Sequence, residues 1–255
     1  MTIPVASGGH ELLLTVVLPI YNEDLVLQRN LGAILDWLTR SRMGDGDFWF
    51  EVVAVDDGSI DASPDVLREA ARRDPRIRVL TLRPNRGKGA AVRAGMLASK
   101  GAYVVFMDAD LSTPLEEIPG LLRALDGGAD AVFGTRRAPG ASIERGQPWM
   151  RRTLGKGFTL LTRVLLRSDC NDFTCGFKGF RREAVVKIFS RSRLNRWAFD
   201  AEIVAILAVL KLCVVYVPVR WRHEDDTKVR LFGAVVRSFL ELLSIVWRRA
   251  MGAYK

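Results

Sequence analysis

Tyr103-Val104-Val105-Phe106-Met107-Asp108-Ala109-Asp110 is the stretch that decides the fold. Five apolar residues in a row, several of them β-branched or aromatic, predict a strand buried on both faces. Two carboxylates follow one residue apart, and Leu111-Ser112-Thr113-Pro114 then opens a helix. In an open α/β sheet, ligands bind beyond the carboxyl ends of the strands, so Asp108 and Asp110 stand where chemistry is expected. Two acids this close repel each other unless a cation lies between them. Their hard oxygens suit Mg²⁺ or Mn²⁺, either of which can also hold the phosphates of a substrate. Taken alone, the pair reads better as a plain cap on the following helix. The surrounding chain has to decide.

Outward on the N-terminal side, Leu12 to Leu18 predicts a strand stopped by Pro19, and Pro19-Ile20-Tyr21-Asn22-Glu23 a loop. The helix that follows, to about Arg40, carries Leu27, Leu31, Ile34, Leu35 and Leu38 at helical spacing. Phe50 to Val55 is a second strand ending in Asp56-Asp57-Gly58-Ser59, and Pro64 starts another helix. Ile77 to Leu82 is a third strand, and Asn85-Arg86-Gly87-Lys88-Gly89 leads into a helix from Ala90 to Ser99. On the other side lie a helix from about Pro114 to Leu125 and a strand from Ala129 to Gly134. This alternation predicts an α/β fold with a mainly parallel, doubly wound sheet.

After Thr135 the regularity stops. A Gly- and Pro-containing loop is expected to about Pro148, then a helix from Arg151 to Leu166 and a strand or loop over Asn171 to Phe180. A helix from Asp200 to Leu212, a strand from Val214 to Trp221 and an amphipathic helix from Leu231 to Met251 complete the chain. The expected organisation is a flexible N-terminus (1–10), one domain (11–230) and a C-terminal amphipathic helix (231–255) suited to a membrane interface.

The 255 residues carry a net charge of +9, which suggests an anionic partner. Between Arg136 and Arg167 stand eight basic residues and one acid, Glu144, so most of the surplus is concentrated there. Cys170, Cys175 and Cys213 match no zinc spacing and fit a reducing compartment. No signal peptide and no run long enough to span a bilayer is expected, so a cytoplasmic, peripheral location is. His10 and His223 are the only histidines, which argues against histidine triads, and no Cys–His pairing suggests thiol catalysis.

Each remaining motif is ambiguous alone. Asp56-Asp57-Gly58-Ser59 can accept hydrogen bonds from a base or ribose, or merely begin a helix. Asn85-Arg86-Gly87-Lys88-Gly89 lacks the P-loop spacing, yet its basic residues near a helix N-terminus can hold an anion. Asp200-Ala201-Glu202 can supply a base, orient arginines or complement a helix dipole.

Taken in order, Pro19-x-Tyr21-Asn22-Glu23, Asp56-Asp57-Gly58-Ser59, Asn85-x-Gly87-Lys88-Gly89 and Asp108-x-Asp110 resemble the inverting family 2 glycosyltransferases of GT-A, Rossmann-like fold. Gly134-Thr135-Arg136, Asp172 to Lys178, Trp197 to Glu202 and Val217-x-Val219-x-Trp221 resemble the dolichyl-phosphate glucosyltransferase branch, with dolichyl-phosphate mannose synthases as near relatives. The resemblance implies a nucleoside pocket lined by Pro19, Tyr21, Glu23 and Asp57, with Lys88 beside the nucleotide. It implies Asp108 and Asp110 holding Mg²⁺ or Mn²⁺ and the diphosphate, and Arg136 and Arg151 gripping an acceptor phosphate. Asp172, Asp200 and Glu202 would form the wall where transfer occurs, and Lys228 would lie in a segment that closes over the site. The implied reaction moves a hexose, glucose from UDP-glucose in preference to mannose from GDP-mannose, to a polyprenyl phosphate. The partners are then a nucleotide sugar, that lipid and an anionic membrane surface, with no nucleic acid. A sugar-hydroxyl acceptor, or a non-catalytic membrane- or nucleic-acid-binding module, are the rival readings.

Overall fold

The computed structural model describes residues 13–41, 49–145, 149–222 and 231–255; for 144, 145, 149–154 and 231–236 it describes the backbone only. In chain order the elements are β1 (Leu14–Ile20), α1 (Asp24–Arg40), β2 (Phe50–Asp56), α2 (Ser63–Arg73), β3 (Ile77–Thr81), α3 (Lys88–Ala98) and β4 (Tyr103–Met107). A 3-10 turn (Leu115–Glu117) precedes α4 (Ile118–Asp126), β5 (Ala131–Thr135), β6 (Ser142–Arg145), α5 (Trp149–Leu166) and β7 (Phe177–Arg181). Then come α6 (Arg182–Phe189), α7 (Phe199–Leu210), β8 (Val214–Pro218), β9 (Arg220–Arg222) and α8 (Leu231–Ala250).

Seven strands form one sheet in the order β3-β2-β1-β4-β7-β5-β8. All neighbours are parallel except β7, which runs antiparallel to both β4 and β5. The alternation of side chains along each strand divides the core in two. Val16, Leu18, Val52, Val105 and Met107 pack with α1, α2 and α4, whereas Val17, Val53, Val104 and Phe106 pack with α3, α6 and α7. Both faces are covered, which is why these strands read as largely apolar runs, interrupted in β1 and β2 by Thr15 and Glu51, which bond to each other in the interior.

Beyond β5 the structure is more regular than the sequence suggests. The expected loop after Thr135 contains β6, and the strand expected over Val214 to Trp221 is two strands. β8 ends at Pro218 on the sheet edge, a position that tolerates a missing N–H, and β9 turns away to pair with β6. The short α6 follows β7 without a gap and buries Ala184, Val185, Ile188 and Phe189. Helix α8 packs Leu242 and Ile245 into the same layer as α7. Among the described residues no helix is long and apolar enough to cross a membrane.

Candidate active site

Parallel pairing of β1 with β2 and β4 brings the carboxyl ends of the three strands to one edge. The loops leaving them are laced together. The backbone N–H of Asn22 donates to Ser59 Oγ at 2.9 Å, and the Asn22 side chain accepts from the N–H of Ile60 at 2.8 Å. Asn22 takes a left-handed φ of 55°, which asparagine tolerates better than most residues. Pro19 is buried in β1, Tyr21 is 44% exposed at the rim and Glu23 precedes α1. Asp57 is buried and fully committed to the next loop. Its carboxylate accepts from Asn85 Nδ2 (2.9 Å) and from the N–H groups of Arg86 (2.8 Å) and Gly87 (2.6 Å). It shapes the turn that delivers Lys88.

Lys88 opens α3 and places Nζ 2.6 Å from Asp108 Oδ1 and 5.7 Å from the Trp197 ring centre. Burial opposes its charge, but Asp108, Asp200 and Asp110 outweigh that and hold the ammonium above the ordinary lysine value. Asp110 accepts from the N–H of Ser112 at 2.9 Å, a local turn that precedes the Leu115–Glu117 3-10 turn, whose N-cap residue is Pro114. The Asp110 carboxyl lies above the usual carboxylate range because it is buried and, next, because Asp108 repels it. A divalent cation between the two would relieve that repulsion. Among the described residues no group of three or more His, Cys, Asp or Glu side chains converges. Two carboxylates one residue apart would suit an ion completed by water and phosphate oxygens, the habit of Mg²⁺ and Mn²⁺.

Two residues that sequence reasoning passed over shape this turn. Asn30, buried on α1, donates to the carbonyl of Ala109, between the two acids, at 2.9 Å. A polar residue on the stripe formed by Val26, Leu27, Leu31 and Ile34 was the available signal. Gly176 lets the Asp108 carboxylate lie directly against the backbone: a Cβ there would collide with Asp108 Oδ2 and stand 2.8 Å from its Cγ.

The C-terminal half supplies the opposite wall. Asp172, 1% exposed, accepts from the Arg136 backbone N–H (2.7 Å), Nε (2.9 Å) and Nη2 (2.6 Å). The Arg136 guanidinium also lies 5.1 Å from the Trp221 ring centre. Lys178 is completely buried in β7, bonded to Asp200 Oδ1 at 2.7 Å and to the Cys175 carbonyl at 2.7 Å. Burial raises the Asp200 carboxyl above its ordinary value even with Lys178 opposing it. Burial likewise pushes the Cys175 thiol up to about 11, which removes it as a thiolate.

Not every expected residue joins this group. Glu202 follows Asp200 by two residues on α7, roughly 200° around the helix, and so faces elsewhere. It is fully buried and accepts from the N–H groups of Arg193 (2.8 Å) and Leu194 (2.7 Å) and from Tyr254 Oη (2.8 Å). The expectation that it lines the transfer wall gives way to this internal bonding. Arg151 lies in α5, but its side chain, like all of Lys228, is outside the described residues.

Strand-end acids facing a lysine, with a second wall delivered by one inserted antiparallel strand, suit the handling of a phosphorylated donor. Residues 15–189 match the pattern of Glycosyl transferase family 2, and the chain belongs to that family: it is a glycosyltransferase. Within the family it is similar to dolichyl-phosphate β-glucosyltransferases. It is 33% identical over 263 residues to that of Drosophila melanogaster, covering 100% of this chain and 81% of the relative. It is 31% identical over 250 residues to that of Homo sapiens, covering 95% and 77%. In fold it is similar to glucosyl-3-phosphoglycerate synthase from Mycobacterium tuberculosis in complex with uridine diphosphate, with a TM-score of 0.67 at 20% identity over 96% of this chain and 87% of that one. A second structure of that synthase, holding Mn²⁺, UDP-glucose and phosphoglyceric acid, gives a TM-score of 0.66 at 20% identity over 92% and 80%.

Proposed function

We propose that this protein transfers glucose from UDP-glucose, with inversion, to a polyprenyl phosphate at a membrane surface. The observation that carries the reading is one juxtaposition. Lys88 Nζ lies 2.6 Å from Asp108, Asp108 lines one small pocket with Gly176 and Trp221, and the Arg136 guanidinium lies over that same Trp221 ring. Donor and acceptor groups thus share one cleft. Support comes from relatives named for the dolichyl-phosphate acceptor and from a structural neighbour holding UDP-glucose with Mn²⁺.

In this reading Pro19, Tyr21 and Glu23 border the nucleoside, while Asp57 fixes the turn that presents Lys88 to the diphosphate. Bound at Asp108 and Asp110, Mg²⁺ or Mn²⁺ would supply charge neutralisation at the leaving diphosphate. Lys88 adds a second positive charge there. A lipid phosphate is already anionic near neutral pH, so the protein's task is to gather two anions rather than to remove a proton. Arg136, braced on Asp172 through Nε and Nη2, presents Nη1 to the acceptor phosphate, with Arg151 as its partner. Asp200, held by Lys178, is the base that a sugar-hydroxyl acceptor would need.

The membrane part of the proposal rests on two helices. On α5, Leu160 and Val164 are 62% and 65% exposed beside exposed Arg163 and Arg167, along an open groove of about 470 Å³. On α8, Leu242 and Ile245 face inward, while Leu240, Leu243 and Trp247, with Met251 just beyond the helix, form a second, exposed stripe. An exposed apolar stripe with arginines beside it is the composition of an interfacial helix.

The test is incubation with a panel of nucleotide sugars, Mg²⁺ or Mn²⁺ and a polyprenyl phosphate, with the glycolipid detected by mass. UDP-glucose should be the productive donor. Transfer from GDP-mannose alone would overturn the donor, and transfer to sugar hydroxyls alone would overturn the acceptor.

A further inference from the structure

The segment from Arg193 to Ala198 is not part of a helix or strand, yet it forms one flank of the Lys88 turn. The Asn195 carbonyl accepts from the N–H of Ala90, in the first turn of α3, at 3.0 Å. Arg93 reaches back from α3 to Asn195 Oδ1 at 2.8 Å. The contact is so close that a Cβ on Gly87, whose φ is +105°, would stand 2.6 Å from the Asn195 oxygen. A Cβ on Gly89 would stand 2.8 Å from the Leu194 oxygen. Trp197 in the same segment lies against Lys88.

What fixes this segment comes from behind it. At one end Glu202 accepts from the N–H groups of Arg193 and Leu194, and Tyr254, just beyond α8, donates its hydroxyl to the other Glu202 oxygen. At the other end the N–H of Ala198 donates to Glu241 of α8 at 3.3 Å. Arg248 of α8 stands 3.6 Å from Glu202. Burial, and after it the Glu202 charge, raise the Tyr254 phenol above its ordinary value, so it remains a donor.

We propose that Glu202 and Tyr254 are positioning residues for the nucleotide sugar: through the 193–198 segment they seat Trp197 and the first turn of α3, and hence Lys88. The C-terminal helix is thereby part of the donor site without touching the donor. The donor half of this inference rests on the function proposed above; the positioning half does not.

The experiment pairs amide hydrogen exchange with steady-state kinetics on Tyr254→Phe, Glu202→Gln and Glu202→Ala. Tyr254→Phe keeps the buried ring and removes one hydrogen bond to a charged acceptor, so exchange at Arg193, Leu194 and Ala90 should rise about tenfold while the β4 amides stay unchanged. The KM for UDP-glucose should rise several-fold, with kcat and the acceptor KM within about twofold, since ground-state binding is what is lost. Glu202→Gln keeps an oxygen for both amides but turns an NH2 group toward Tyr254 Oη and Arg248, so it should resemble Tyr254→Phe, and Glu202→Ala should exceed both. Unchanged exchange at Ala90 in Tyr254→Phe and Glu202→Ala would overturn the proposal, as would a fall in kcat at constant donor KM. If the wild-type protein does not turn over UDP-glucose, the functional reading fails, and the exchange comparison still decides the positioning role.

Discussion

Replacing Asp172 by alanine tests whether the acceptor wall is built on a buried ion pair. Asp172 is 1% exposed and gives its oxygens to three Arg136 donors at 2.6 to 2.9 Å, and Arg136 has only 15% of its side chain accessible. The variant leaves a guanidinium desolvated without its counter-ion, which costs about 3–5 kcal/mol. For a chain of this size that is about 6–20 °C of melting temperature. The assay is thermal unfolding followed by circular dichroism. Arg136→Leu combined with Asp172→Leu removes both charges and should recover much of the loss. The pH dependence has a fixed sign. Burial opposes the Asp172 charge, but Arg136 overrides it and holds the carboxyl below its ordinary value. Such a group contributes stability above the unfolded-state value of about 3.9, and loses it as pH falls through the lower folded value. The gap between wild type and Asp172→Ala should therefore be full near neutrality and shrink on acidification below about pH 4. A melting temperature within about 2 °C of wild type at pH 7, corresponding to less than about 1 kcal/mol, would refute the reasoning.

Three further outcomes are expected. Asp110→Asn should abolish turnover and leave the melting temperature near wild type, and full activity in that variant or in excess EDTA would remove the metal role. Gly176→Ala should push the Asp108 carboxylate off its seat and lower kcat/KM by about 100-fold, a misplacement effect that nucleotide-sugar turnover would measure. Anionic vesicles should bind the protein in low salt, less in high salt, and less again with Arg163→Glu and Arg167→Glu, as sedimentation would report.

The donor half of the fold was legible because its strands are buried on both faces and its helices are separated by short turns. Leu12 to Leu18, Phe50 to Val55 and Tyr103 to Met107 each carry a largely apolar signal, interrupted in the first two by Thr15 and Glu51, and the parallel sheet gathers the loops that follow at one edge. The C-terminal half was less legible. Phe177-Lys178-Gly179-Phe180-Arg181 contains a lysine, and a buried charge disguises a strand unless its partner, Asp200, is known to lie opposite. Of the site, Lys88 lies in contact with Asp108, although the two motifs stand twenty residues apart in the chain. The different fate of Glu202 was readable from its spacing to Asp200, because two positions on a helix cannot serve one cleft. Its partner Tyr254 could not be found that way, since it lies 52 residues further on and carries no motif.

The placement of β7 also governs how the molecule can be made. β5 touches only β7 and β8 in the sheet, and both are later in the chain. While the polypeptide emerges from the ribosome, β3, β2, β1 and β4 can dock in turn, but β5 has no seat until residue 181 has been synthesised. Throughout that interval β4, the strand that carries the two acids, has a bare apolar edge open to intermolecular pairing. The N-terminal half is thus not a portable nucleotide-binding module. Expressed alone, residues 13–135 should collect in the insoluble fraction, and a soluble, folded fragment would show that the edge protects itself.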